Sequence, residues 1–117
     1  MTQDDIVSEK NIQGKLKSIS INYMDQTVEV CIQVLVSKCT NTVCNCNDVL
    51  QIVFSNVGDI KFATDLNLYQ YIYIDIYSLK DRQWEHFQYF VMETEGFISF
   101  YAQDYTITER KATVLLQ

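Results

Sequence analysis

The sequence predicts a mainly β fold: a single antiparallel sheet domain, sandwich-like or strongly bent, with little helix. Three observations carry this. Apolar and polar residues alternate at period two along most of the chain, turn signals recur about every ten residues, and no long stretch keeps the helical period. Proline is absent, and glycine occurs only at Gly14, Gly58 and Gly96. No linker, repeat or low-complexity tract divides the 117 residues, so 1–117 reads as one domain with a single modest core.

The elements follow in order. Residues 1–14 are mostly polar and are read as a short helix or a flexible tail. From Lys15 the period is two, and LKSISINY sets Ile19, Ile21 and Tyr23 on one face. MDQ turns the chain. TVEVCIQVLV then alternates Val28, Val30, Ile32, Val34 and Val36 against Glu29, Cys31, Gln33 and Leu35, giving a half-buried hairpin. DVLQIVF is a third strand, NVGD a turn, and IKFA a short fourth strand or a continuation. LYQYIYIDIY, residues 68–77, is the clearest strand. HFQYFVMETEGFISFYA folds back on itself at Glu95–Gly96, and residues 105–108 and 112–116 supply two further short strands.

Composition narrows the function classes. With 48% apolar and 21% charged residues the chain is globular rather than disordered. A net charge of −6 opposes binding to nucleic acid or to an anionic membrane, both of which require a basic face. An acidic domain suits a basic protein partner, although the same charge also serves solubility. MTQDDIVSEK lacks the basic start and apolar run of a signal peptide, and no apolar run approaches a membrane span. The expected location is the cytoplasm, and a secreted chain already trimmed of its leader would read the same way.

The stretch SKCTNTVCNCNDV carries three of the four cysteines. Cys39, Cys44 and Cys46 form C-x4-C-x-C, unlike the paired C-x2-C knuckles of common zinc sites. A closed tetrahedral site would need Cys31 or the single histidine, His86, as fourth ligand. Disulfides and a redox pair are equally weakly signalled. The surrounding Ser, Thr and Asn are turn formers, so the preferred reading is a metal-free loop between strands. No cofactor is expected. Catalysis finds little footing either: the carboxylates are singletons, His86 has no fixed thiol partner, and no phosphate-binding or nucleophile motif occurs. The chain is read as a non-enzyme.

LYQYIYIDIY says more. Leu68, Ile72, Ile74 and Ile76 share one face, interrupted by Gln70, and Tyr69, Tyr71, Tyr73, Asp75 and Tyr77 share the other. One reading covers the tyrosine face with another layer. The other leaves it as a contact surface, because tyrosine brings large contact area at low conformational cost. Asp65, Asp75, Asp81, Glu85, Glu93, Glu95 and Asp104 lie in the same half of the chain, against Lys80 and Arg82. The candidate partner-binding set is Tyr69, Tyr71, Tyr73, Asp75 and Tyr77, with Glu93 and Glu95 as rim charges.

The order of elements, the F-x-N-V-x-x-I phrase within VLQIVFSNVGDIKF, and QWEHFQYFVMETEGFISFYAQDYTI resemble small bacterial immunity proteins, the antidotes of contact-dependent growth inhibition and other polymorphic toxin systems. The resemblance spans residues 15–108. It implies a β-rich protein without catalytic residues that neutralises a cognate toxin domain, often a nuclease, by stoichiometric binding. Two other readings stand beside it: a small-molecule or metal-binding domain using the Cys39–Cys46 loop and His86, and a subunit of a structural or regulatory assembly.

Overall fold

A computed structural model describes residues 8–39, 44–63, 67, 70–79 and 87–110. The described residues form an all-β domain. Its strands are β1 (Ser8–Met24), β2 (Thr27–Cys39), β3 (Cys44–Ser55), β4 (Gly58–Phe62), β5 (Tyr71–Ser78), β6 (Tyr89–Glu93), β7 (Ile98–Ala102) and β8 (Asp104–Arg110). All pair antiparallel in one sheet of order β4-β7-β6-β5-β1-β2-β3-β8.

That order forces a strong bend. β3 and β4 lie near opposite ends of the sheet, yet only Asn56 and Val57 separate them along the chain. β7 and β8 are likewise far apart in the order and joined by Gln103 alone. The two ends must therefore meet. At the meeting point the Asn56 amide donates to Gln103 Oε1, Gln103 N–H bonds Ser55 O at 3.0 Å, and Val57 N–H bonds Val28 O at 2.9 Å. Asn56 takes a left-handed backbone (φ 51°), a conformation asparagine tolerates better than most residues.

β1 runs through both layers. Ser8 to Lys15 pair with β5, whereas Lys15 to Met24 pair with β2. At the changeover the β2 backbone passes so close that a Cβ on Gly14 would fall inside contact distance of Leu35 O and Val34 Cγ1. Glycine is required there by space. The expectation of a helix or tail for residues 1–14 is thus corrected for residues 8–14, which are strand. Asn11 and Gln13 face outward while Ile12 is buried, so a strand showing one apolar side chain and one glycine to the core looks polar in sequence.

The core lies between the layers. Ile32, Val34, Ile52 and Phe54 come from one side, and Ile72, Ile74, Ile76, Ile98 and Phe100 from the other. Phe54 and Phe100 meet edge to face with ring centroids 4.9 Å apart. Tyr89 and Tyr105 meet the same way, also at 4.9 Å. Burying one such side chain contributes about 2 kcal/mol, so this shared apolar layer supplies the main drive to fold.

Other sequence expectations fare well at the level of elements. The MDQ turn joins Met24 to Thr27, with Asp25 left-handed (φ 52°). Gly96 (φ 85°) closes the turn between β6 and β7, its N–H bonding Glu93 O at 2.8 Å. The strand expected over 68–77 is described from Tyr71 to Ser78, and that expected over 105–108 runs from Asp104 to Arg110. The strand expected over 112–116 lies outside the described residues.

Candidate functional site: an aromatic face

Alternation along β5 sends Ile72, Ile74 and Ile76 into the core and turns Tyr71, Tyr73, Asp75 and Tyr77 outward. Tyr71 is 50% exposed and Tyr73 40%, and their rings touch edge to face at 5.2 Å. All four belong to the partner-binding set read from sequence; Tyr71 and Tyr73 are exposed, and Asp75 and Tyr77 are half-buried. Tyr69 lies outside the described residues, as does His86.

The face extends across neighbouring strands. Register sets Tyr77 opposite Phe90, Phe90 opposite Tyr101, and Tyr101 opposite Gly58. Their rings form a row: Tyr77 stacks on Phe90 at 6.3 Å, Phe90 meets Tyr101 at 4.8 Å, and Phe87 meets Tyr101 at 5.6 Å. Phe87 lies over Gly58, where a Cβ would stand 2.7 Å from the ring. A second rung runs Asp75, Met92, Ser99 and Lys61. The aromatic row is half-buried; the two tyrosines toward the start of β5 stand clear of it.

Polar groups frame the rings. Asp75 Oδ1 accepts a hydrogen bond of 2.7 Å from Asn11, whose own Oδ1 accepts one of 2.8 Å from Gln13. Burial and the neighbouring Asp75 charge raise the Tyr77 phenol above its ordinary value, so it remains a neutral donor through the physiological range. Lys15 is the register partner of Tyr71, so a cation flanks the exposed tyrosines as well as the Asp75 carboxylate. Met92 adds a polarisable, adaptable side chain to the patch.

One expected member is corrected. Glu93 is 1% exposed and points into the domain from β6. Its carboxylate accepts N–H bonds from Tyr73 (3.1 Å), Glu95 (2.8 Å) and Phe97 (3.4 Å). It pins the β6–β7 turn to β5 and is not a rim charge. Glu95 is exposed on that turn, as expected for a rim carboxylate. Sequence reasoning missed Phe87, Phe90, Met92 and Tyr101. Phe90 and Met92 alternate with buried Tyr89, Val91 and Glu93, and that alternation was the available signal.

Among the described residues no group of three or more His, Cys, Asp or Glu is arranged to hold a metal ion. The loop expected around Cys39, Cys44 and Cys46 is corrected at its ends: Cys39 lies in β2 and Cys44 and Cys46 lie in β3, with Cys39 and Cys44 as register partners. Cys31 is a half-buried free thiol on the outward face of β2. Burial, then the Glu29 charge, push it above its ordinary value against a smaller opposing hydrogen bond with Ser20. A thiol so placed is a weak nucleophile at neutral pH.

No family model, curated protein or solved structure matches the chain. Among the described residues no helix is long and apolar enough to cross a membrane.

Proposed function

We propose that this chain acts by stoichiometric binding, as an immunity-type antidote that meets a basic toxin domain through the outward face of β5, β6 and β7. The observation that carries the binding reading is the pair of exposed, mutually touching tyrosines beside a half-buried aromatic row. Tyrosine and methionine at the centre of an open patch, with carboxylates at its margin, are the composition of an interface anchor region. The net charge of −6 supports a basic partner, with Asp75 beside the tyrosines on β5 and Glu95 exposed on the adjoining turn. The resemblance to immunity proteins supplies the toxin, of nuclease type, and the cytoplasm as the meeting place.

Co-expression tests this. Cells producing the toxin domain encoded beside this chain should survive when the wild-type chain is present. They should lose protection when Tyr71 and Tyr73 are both alanine in a protein that remains folded. A neighbouring product that neither binds the chain nor harms cells would remove the antidote reading.

A further inference from the structure

We infer, building on the binding role proposed above, that Asp75 seats the guanidinium group of an arginine from the basic partner, between Tyr73 and Tyr77 on the outward face of β5. Strand rise sets these two tyrosines about 14 Å apart. The side chain between them on that face is the short Asp75. The ring of Tyr73 meets Tyr71 at 5.2 Å, closer than the rise of about 7 Å between alternate residues, so that pair leans together. Tyr77 stacks instead on Phe90 of the next strand. Across the strands Asp75 is flanked by Asn11 and Met92. Aspartate reaches less far from the sheet than tyrosine, so its carboxylate is the floor of this interval.

A relay of amides holds that carboxylate from one side. Gln13 Nε2 donates to Asn11 Oδ1 at 2.8 Å, and Asn11 Nδ2 donates to Asp75 Oδ1 at 2.7 Å. Among the described residues Asn11 is the one hydrogen-bond donor to the Asp75 side chain, and Oδ2 accepts from none. The described cations on this face, Lys15 and Lys61, stand well away from it. Lys15 faces Tyr71, four residues along β5, and Lys61 lies three strands across, each about 14 Å from Asp75. That exceeds the screening length at physiological salt. Lys61 also lies 3.9 Å from the carboxylate of Asp59. The half-buried Asp75 charge is therefore matched by hydrogen bonding on one oxygen only.

Arginine suits this arrangement better than lysine. A guanidinium is planar and weakly hydrated, so it can donate to Oδ2 while its face lies against a flanking tyrosine ring. Carboxylate and ring then attract the same cation. The methylene stem of the arginine lies on Met92, whose thioether adapts its shape, with Phe90 on the same strand beside it. An ammonium is a compact charge that holds its water tightly and cannot stack, so it gains less from the same neighbours.

NMR titration of the full chain with N-acetyl-arginine amide, at millimolar concentrations, tests this without any toxin. The backbone amides of Tyr73, Asp75, Tyr77 and Met92 should shift saturably. N-acetyl-lysine amide should need a several-fold higher concentration for the same response. Asp75→Asn keeps an oxygen for Asn11 but removes the charge, and should weaken the arginine probe about tenfold in a chain with a wild-type unfolding midpoint. No saturable shift, shifts centred elsewhere on the sheet, or shifts unchanged by Asp75→Asn would overturn the site. An equal response to the lysine amide would overturn its choice of arginine. Because the probe stands in for the partner, a chain that takes it at Asp75 but binds no neighbouring gene product keeps the site and loses the antidote reading alone.

Discussion

The backbone N–H of Tyr73 donates to Oε2 of Glu93 across 3.1 Å, so a buried carboxylate holds one of the most exposed tyrosines in place. The other oxygen of Glu93 takes the amides of Glu95 and Phe97 in the adjoining turn. Hydrogen bonds to a charged acceptor contribute about 2 kcal/mol, and stranding buried amides costs a comparable amount. Glu93→Ala is therefore expected to destabilise the fold by about 3 kcal/mol, read from denaturant unfolding. Glu93→Gln keeps the oxygen serving the turn and sets an NH2 against the Tyr73 amide, so it should lie between the two. A Glu93→Ala midpoint equal to wild type would deny the carboxylate this role.

Gly14 marks where β2 crosses β1, with Leu35 O and Val34 Cγ1 filling the space a Cβ would need. Forcing an atom into such a contact costs about 3 kcal/mol when backbone must move. Gly14→Ala should lower the melting temperature sharply, although alanine is usually the better strand and helix former. Gly96→Ala is a useful contrast: nothing lies near its Cβ, and only the φ of 85° resists substitution. An unchanged melting temperature for Gly14→Ala would mean the two strands do not cross so closely.

Tyr105 closes the domain from its other end, its hydroxyl donating to Glu9 Oε2 at 2.6 Å across 96 residues of chain. Burial first, then the hydrogen bond and charge of Glu9, hold the phenol above its ordinary value of 10.0. In the unfolded chain the phenol ionises near that ordinary value, while the folded chain keeps the proton. The stability this supplies is complete below about pH 10 and is lost as pH rises further toward the folded value. Tyr105→Phe should cost about 1 kcal/mol near neutrality and flatten the alkaline decline of stability. A decline of equal steepness in both proteins would assign it to other groups, Tyr77 among them.

Strand identity was legible wherever one face of a strand meets the core and the other meets solvent. VCIQV within TVEVCIQVLV, and YIYIDIY, show this, since their buried and outward residues alternate without interruption. The first half of β1 was not legible, because Ile12 alone breaks its polar run before the glycine. Glu93 was misread for a related reason. A carboxylate on the core face looks like a surface charge until the backbone amides that surround it are known. The aromatic row escaped because it is made by register: Tyr77, Phe90 and Tyr101 are far apart in sequence and adjacent only once three strands pair. Sheet order was beyond reach, since the short Asn56–Val57 and Gln103 connections read as ordinary turns yet carry the chain from one end of the sheet to the other.

The most direct measurement of the central claim is the dissociation rate of the partner toxin domain from chains altered only on the outward face. Tyr71→Ala and Tyr73→Ala should each raise that rate by the equivalent of about 2 kcal/mol, with unfolding midpoints close to wild type. Glu95→Lys should act mainly on the association rate and weaken its dependence on salt. Folded tyrosine variants that release the partner at the wild-type rate would contradict the claim and put the contact surface on another part of the sheet.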